Sequence, residues 1–181
     1  MSVMLDNEID SKVKSELKTK HEQIPAYYFF YDQYIDIDRG IVELMCHIWR
    51  AGIRTSNSCE NNVPTDYVWI QFRDTKDLKK FINITFRDIE RTSGIYDRSL
   101  SEDYDPKNCD RWLYNYDLRD VVQDIEDYDI VKNDHDALNL YCYASVRFPK
   151  YDYSYILEQF KKYNDKYDYT NDIIDSSQTN K

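Results

Sequence analysis

Hydrophobic and polar positions alternate along the chain in patterns that predict both helices and strands. Between residues 38 and 52 the apolar side chains recur at the spacing of one side of an α-helix. Asp38 is placed to cap the start of this helix, and Gly52 is placed to end it in the left-handed conformation. The predicted buried side consists of Ile41, Leu44, Met45, Ile48 and Trp49.

Five segments have the composition or the two-residue alternation of β-strands. They are residues 26–31, 53–59, 67–72, 112–116 and 138–148. The third and the fifth alternate most regularly, so one side of each is predicted to face the core.

Two further helices are predicted at residues 74–94 and 155–163, with a shorter one at 118–128. The order of these elements predicts an α+β fold, in which a ferredoxin-like antiparallel sheet carries two main helices on one face. An insert at residues 95–111 and a C-terminal helix complete the predicted arrangement.

The length of 181 residues fits one domain with a substantial core. The polar residues 1–22 predict a flexible or weakly helical arm, and residues 23–165 a single α/β domain. Residues 166–181 end in small polar side chains, which predicts a disordered tail.

The formal net charge of −10 argues against non-specific binding of nucleic acid, because an acidic surface repels phosphate backbones. The N-terminal residues lack the apolar stretch of a signal peptide, and no window is apolar enough to span a bilayer. The 4 cysteines lie far apart, as in proteins with reduced thiols. We therefore expect a soluble intracellular protein without membrane contact.

Cys59, Glu60 and His47 are the candidate catalytic residues. Cys59 follows a predicted strand and precedes a polar loop, which is where α/β proteins place reactive groups. In the predicted fold His47 lies on the neighbouring helix and can serve as a base, whereas Glu60 should raise the pKa of the thiol. A cysteine here also packs as a small apolar side chain, and we favour that interpretation over a chemical role.

The spacing of the potential metal ligands predicts no metal site. Structural zinc sites usually contain ligand pairs two to four residues apart, whereas the possible ligands of this chain lie far apart or point in different directions. They are Cys46, His47, Cys59, Cys109, His135 and Cys142. The acidic stretches 103–106 and 133–136 lack the EF-hand pattern. We predict no metal and no cofactor.

Small polar side chains surround the predicted strand end and are candidates for ligand binding. They are Ser56, Asn57, Ser58, Asn61 and Asn62. Such residues hold a polar ligand or the backbone of a partner in some proteins, and form an ordinary turn in others. Both interpretations stay open at this point. With Cys59 and Trp69 these residues make up the predicted binding surface.

Trp69, Tyr141 and Tyr143 are predicted to lie on the sheet face that points away from the helices. Aromatic sheet faces stack bases in RNA-recognition domains, but those faces lie in positively charged surroundings. Because this chain is acidic, we expect the insert, the C-terminal helix or a second copy of the chain to cover this face.

Residues 35–84 resemble a small α/β family of large DNA viruses, phages and bacteria. The likeness rests on the pattern W-x-x-G-I-x-T-x-x-S-C-(E/Q), which here runs from Trp49 to Glu60, and on the aromatic strand around Trp69. That family has no established activity, so the resemblance implies an α/β fold and assigns no catalytic residue. If the chain is viral, as the resemblance implies, we expect it in the host cytoplasm or the virion.

A more distant likeness concerns the S-C-S-G-R motif of the tRNA wybutosine-synthesis methyltransferase. Ser58 and Cys59 match its first two positions, and residues 60–62 depart from the other three. Many bacterial proteins with the S-C-(E/Q) pattern continue with glycine, where this chain has Asn61.

The favoured hypothesis is a non-catalytic α/β binding or interaction module. It presents the loop from Ser56 to Asn62 to a protein partner or a small polar ligand. The alternative is an enzyme centred on Cys59, with RNA modification as its most specific form. A homo-oligomer is compatible with either hypothesis.

Overall fold

In the computed structural model, the described residues are 21–62, 66–90, 93–100, 110–118 and 142–167. Pairs of consecutive strands are separated by helices along these residues, and a 3₁₀ turn precedes the last helix. The elements are β1 (Gln23–Tyr28), β2 (Gln33–Asp38), α1 (Val42–Arg50), β3 (Thr55–Asn62), β4 (Tyr67–Phe72), α2 (Thr75–Thr85), α3 (Gly94–Ser99), β5 (Leu113–Leu118), β6 (Cys142–Pro149), the 3₁₀ turn (Lys150–Asp152) and α4 (Tyr153–Lys166).

The strands form two antiparallel sheets. β1 and β2 make a two-stranded sheet, and the other strands make a four-stranded sheet in the order β3-β4-β6-β5. Every neighbouring pair in this order is antiparallel. The predicted α+β class with an antiparallel sheet is confirmed.

The strand order is not the ferredoxin-like one that we predicted. A ferredoxin-like sheet would place the first strand between β4 and β6, whereas here β4 pairs directly with β6 and β1 pairs with β2. The sequence analysis missed β2 because its exposed side is polar and Tyr34 is 72% exposed. A turn in which Asp32 adopts a φ of 52° lets β2 fold back locally onto β1.

The described helices share one apolar core with the four-stranded sheet. The core side of β4 carries Val68, Ile70 and Phe72, as its alternation predicted. Phe81 of α2 lies 5.2 Å from Phe72 and 5.4 Å from Phe160 of α4 between ring centroids. The C-terminal helix therefore packs on the same side as α2, which excludes it from the three covers that we considered for the opposite sheet face.

The predicted buried side of α1 is confirmed. Leu44, Met45, Ile48 and Trp49 are all buried, and Gly52, which follows the C-cap residue Ala51, has a φ of 71°. Gly52 is thus in the left-handed conformation that the sequence predicted.

The start of β3 is fixed by two aromatic side chains. The Tyr28 hydroxyl donates to the Thr55 carbonyl at 3.1 Å, and Trp49 Nε1 donates to Thr55 Oγ1 at 2.9 Å. Burial raises the pKa of Tyr28 to about 12, so this hydroxyl keeps its proton. These bonds connect β1, α1 and β3, and they set the direction in which β3 leaves the core.

The predicted helix at residues 74–94 is shorter than expected. α2 ends at Thr85, and the separate helix α3 begins at Gly94. Ile89 still packs against the core from the turn that follows α2, which prolonged the apolar periodicity beyond the helix. All but the first residue of the predicted helix at 118–128 and the first residues of the predicted strand 138–148 lie outside the described residues, as do residues 1–20 and 168–181.

A buried carboxylate holds the start of α4. Asp152 is 3% exposed and accepts from Arg98 Nη2 at 2.5 Å and from Trp112 Nε1 at 2.8 Å. It thereby links α3 and the residue before β5 to the 3₁₀ turn.

Replacing Asp152 with Ala should lower the free energy of unfolding by about 3–5 kcal/mol, because the Arg98 guanidinium would stay in its half-buried position without its counterion. Urea denaturation followed by circular dichroism measures this loss. Glu158→Ala is the matched control, since its ion pair with Lys162 is exposed and should contribute less than about 0.5 kcal/mol. Equal losses in both variants would contradict the assignment.

Candidate functional site

The end of β2 and the middle of β3 hold each other through reciprocal hydrogen bonds. Asp38 Oδ2 accepts from the backbone N–H of Glu60 at 2.9 Å, and Glu60 Oε2 accepts from the backbone N–H of Gly40 at 2.6 Å. We call this pair of bonds the Asp38–Glu60 clamp. A Cβ atom at Gly40 would collide with Glu60 Oε2, so the clamp requires glycine at this position.

Asp38 does not cap α1, contrary to our prediction. The helix begins after Ile41, and no side chain caps it. Asp38 is the last residue of β2 and lies too early in the chain to reach the first turn. Its carboxylate is 5% exposed and accepts instead from Glu60 and from Gln23 Nε2 at 3.1 Å.

His21 lies against the clamp. Its Nδ1 is 3.4 Å from Asp38 Oδ2 and 3.3 Å from Glu60 Oε1, within the range of ion pairs. The Nδ1 atom is nevertheless buried without a well-formed hydrogen bond. His21, Asp38 and Cys59 each offer one potential metal-ligand atom, and these three atoms lie within 4.8 Å of one another. These side chains form what we call the His21–Asp38–Cys59 cluster.

Sequence reasoning missed His21 because it assigned this residue to the N-terminal arm. Gln23 and Asp38 face each other in the register of β1 and β2, so the chain emerges beside Asp38 just before β1. Only the pairing of β1 with β2 could have placed His21 near Asp38, and the sequence analysis did not predict that pairing.

A cavity of about 240 Å³ adjoins the clamp. Glu60 belongs both to the clamp and to the cavity wall. The remaining lining residues come from the segment just before α1, from β4, from the 3₁₀ turn and from the first residue of α4. They are Gly40, Ile41, Val68, Lys150 and Tyr153.

The surroundings of Cys59 keep its thiol protonated at neutral pH. Partial burial raises the pKa of Cys59, and the nearby Asp38 and Glu60 carboxylates raise it further. A hydrogen bond with the backbone of Asn61 opposes these effects only in part. A nucleophilic cysteine needs the opposite environment, so this setting disfavours activation of the thiol.

His47 lies at the interface between α1 and α4. Asn164 Nδ2 is 3.0 Å from His47 Nδ1 and donates to the His47 carbonyl at 2.9 Å. Burial lowers the pKa of His47, and the positive charges of Arg50 and Lys161 add to this effect. The cluster around Cys59 contains His21 and does not contain His47.

Two of the predicted ligand-binding residues bond within the β3–β4 hairpin. Ser56 Oγ donates to Gln71 Oε1 at 2.8 Å across the strands. The side-chain oxygen of Asn57 accepts from the backbone N–H of Ser58 at 2.8 Å. Ser56 and Asn57 are exposed, whereas Ser58 is half-buried.

The two asparagines at the end of β3 support the neighbouring backbone and strand. Asn61 Oδ1 accepts from the backbone N–H of Asp66 at 3.0 Å. Asn62 Oδ1 accepts from Arg147 Nε of β6 at 3.2 Å. These bonds favour a structural role for both amides over direct contact with a ligand.

Trp69 is half-buried and pairs with Cys59 in the register of β3 and β4. The Arg147 guanidinium lies 5.6 Å from its ring centroid, within range of a cation–π contact. The structure therefore places Trp69 beside Cys59, and its ring contacts Arg147 of β6.

The chain is similar to a protein of a large DNA virus. Over 135 residues it is 38% identical to the uncharacterized protein R428 of Acanthamoeba polyphaga mimivirus. The match covers 74% of this chain, and the chain spans 65% of the length of that protein. No family model matches the chain. No solved structure matches it either.

Among the described residues, none of the helices has the length and apolar character needed to cross a bilayer.

Gly40→Ala should break the Asp38–Glu60 clamp, because the added methyl group occupies the place of the Glu60 carboxylate. We expect a loss of about 0.5–1.5 kcal/mol in the free energy of unfolding, the net contribution of a hydrogen bond, because this bond is exposed and the displaced carboxylate can reach solvent. Urea denaturation measures it. Gly94→Ala is the control, since its Cβ would meet only the flexible end of Arg98 at 3.2 Å. A neutral Gly40→Ala variant would argue against the clamp.

Cys59 should react with iodoacetamide more slowly than a model thiol at pH 7, in the presence of a chelator. Because the pKa of Cys59 is raised, its thiolate forms only at more alkaline pH. Asp38→Asn removes one raising charge and should shift the pH profile of alkylation downward. Peptide mapping by mass spectrometry reports each cysteine separately, and Cys46 should keep its rate in this variant. Rapid alkylation of Cys59 below pH 7 would contradict the prediction.

Proposed function

We propose that this protein is a non-catalytic viral binding module that holds a small polar ligand in the cavity beside Glu60. The observation that carries the proposal is the Glu60 carboxylate, which the backbone of Gly40 fixes at the cavity wall. A fixed charged group in a concave site supplies orientation and specificity, because its position is already set before the ligand arrives.

The lining of the cavity favours a small zwitterion. Glu60 offers acceptors for an ammonium or hydroxyl group, and Lys150 offers a positive charge for a carboxylate. Ile41 and Val68 supply apolar contact, and Tyr153 supplies an aromatic ring. The volume of about 240 Å³ lies below the range of drug-sized pockets, which favours a compact molecule such as an amino acid.

The cavity is a better site for the ligand than the loop from Ser56 to Asn62. Several polar side chains of that loop already bond within the hairpin or to β6. A protein partner docked on the loop would have to compete with these bonds. A ligand in the cavity leaves them intact.

An enzyme centred on Cys59 is the second candidate. One observation favours it: His21 and Asp38 lie in the same cluster as the thiol, as a base and its orienting carboxylate would. His21 would then take the role that we first gave to His47. The negative surroundings of the thiol count against this enzyme, and the charge of −10 counts against its RNA-modifying form.

Thermal denaturation with a panel of amino acids and small amines tests the proposed function. A ligand at 100 times its dissociation constant stabilises the folded protein by about 2.7 kcal/mol, and so should raise the melting temperature by several degrees. Glu60→Gln and Lys150→Met should abolish the shift.

Lys161→Met is the matched control, since Lys161 pairs with Glu43 on the surface and does not line the cavity. The same panel with S-adenosylmethionine and tRNA tests the RNA-modifying alternative. A shift that survives Glu60→Gln, or a panel without any stabilising compound, would refute the cavity proposal.

A further inference from the structure

We propose that the His21–Asp38–Cys59 cluster binds a zinc ion. This site is separate from the proposed function, because the cavity ligand would contact Glu60 and Lys150 while the metal would contact the cluster. Glu60 lies beside both sites, but it is not one of the three proposed zinc ligands.

The geometry of the cluster is close to that of a zinc site. With zinc bonds of about 2.0–2.3 Å, ligand atoms at the corners of a tetrahedron lie roughly 3.3–3.5 Å apart. His21 Nδ1 and Asp38 Oδ2 are already 3.4 Å apart. The three ligand atoms lie within 4.8 Å of one another, so an inward movement of no more than about 1.3 Å would complete the set.

The donor types select zinc over harder cations. The cluster offers one imidazole nitrogen, one carboxylate oxygen and one sulfur, whereas Mg²⁺ and Ca²⁺ prefer oxygen ligands throughout. Three protein ligands leave a fourth tetrahedral position for water or another group. On binding, Cys59 forms a bond from sulfur to the metal and releases its proton to the solvent.

The groups around the cluster support a metal. Gln23 Nε2 and the backbone N–H of Glu60 orient the Asp38 carboxylate, as hydrogen bonds around metal ligands commonly do. His21 Nδ1 is buried and lies near two carboxylates without a hydrogen bond to either. A cation between these atoms satisfies the imidazole nitrogen and offsets the paired negative charges.

A metal in this position connects three separate parts of the chain. His21 precedes β1, Asp38 ends β2, and Cys59 lies in β3. The ion would therefore add a bond between the two sheets beside the Asp38–Glu60 clamp. Because the cluster forms only in the folded chain, metal binding should raise the melting temperature.

Cobalt(II) is the probe for the test, because a thiolate bound to cobalt gives a charge-transfer band that zinc lacks. The full chain, freed of metal with a chelator, should bind one cobalt ion with this band and with tetrahedral visible bands. Zinc should displace the cobalt. Cys59→Ser should abolish the thiolate band, and His21→Ala should weaken binding at least tenfold.

Cys46→Ser and His47→Ala are matched controls, since both residues lie on α1 outside the cluster and should leave the spectrum unchanged. Circular dichroism checks that each variant folds. If Cys59→Ser does not fold, the cobalt affinity of His21→Ala decides the test. Glu60→Gln should lose the cavity ligand and keep the cobalt band, which separates the two proposals. Absence of a thiolate band in the wild type, or the same band and affinity in Cys59→Ser and His21→Ala, would overturn the zinc site.

Discussion

The Asp38 carboxylate is almost fully buried at the end of a strand, and the site depends on how its charge is satisfied. A buried carboxylate is costly unless hydrogen bonds replace its lost water. Asp38 meets this need with the backbone N–H of Glu60 and the side chain of Gln23. The first bond connects β2 to β3, and a second bond, from the backbone N–H of Gly40 to the Glu60 carboxylate, connects the same two segments. The small sheet and the large sheet are thereby held in one arrangement.

This clamp explains why chemistry-bearing groups collect at one place. Fixing β2 against β3 brings the residues before β1 beside Cys59, and it turns the Glu60 carboxylate toward the cavity. The same negative charges that hold the strands also raise the pKa of the thiol. The carboxylates that hold the strands together thus make this site attract cations. The same carboxylates disfavour a free thiolate nucleophile at Cys59.

Another part of the cavity lining depends on a second buried carboxylate. Lys150 and Tyr153 flank Asp152, whose bonds to Arg98 and Trp112 set the start of α4. Residues that lie far apart in the described chain thus line one cavity of about 240 Å³. The core between them is aromatic, with the Phe81 ring near those of Phe72 and Phe160. This packing keeps the sheet and helices at a constant distance.

The sequence alone determined the elements whose signal is local. The apolar spacing of α1, its end at Gly52 and the alternation of β4 all follow from side-chain periodicity and backbone preference, and the α+β class follows from them. Only the tertiary structure decided which strands pair, because β2 has an exposed polar side and its pairing with β1 depends on a turn at Asp32. It also decided that His21, and not His47, joins Cys59. Such a cluster is made by long-range contacts between segments with no shared periodicity, and spacing along a chain does not encode these contacts.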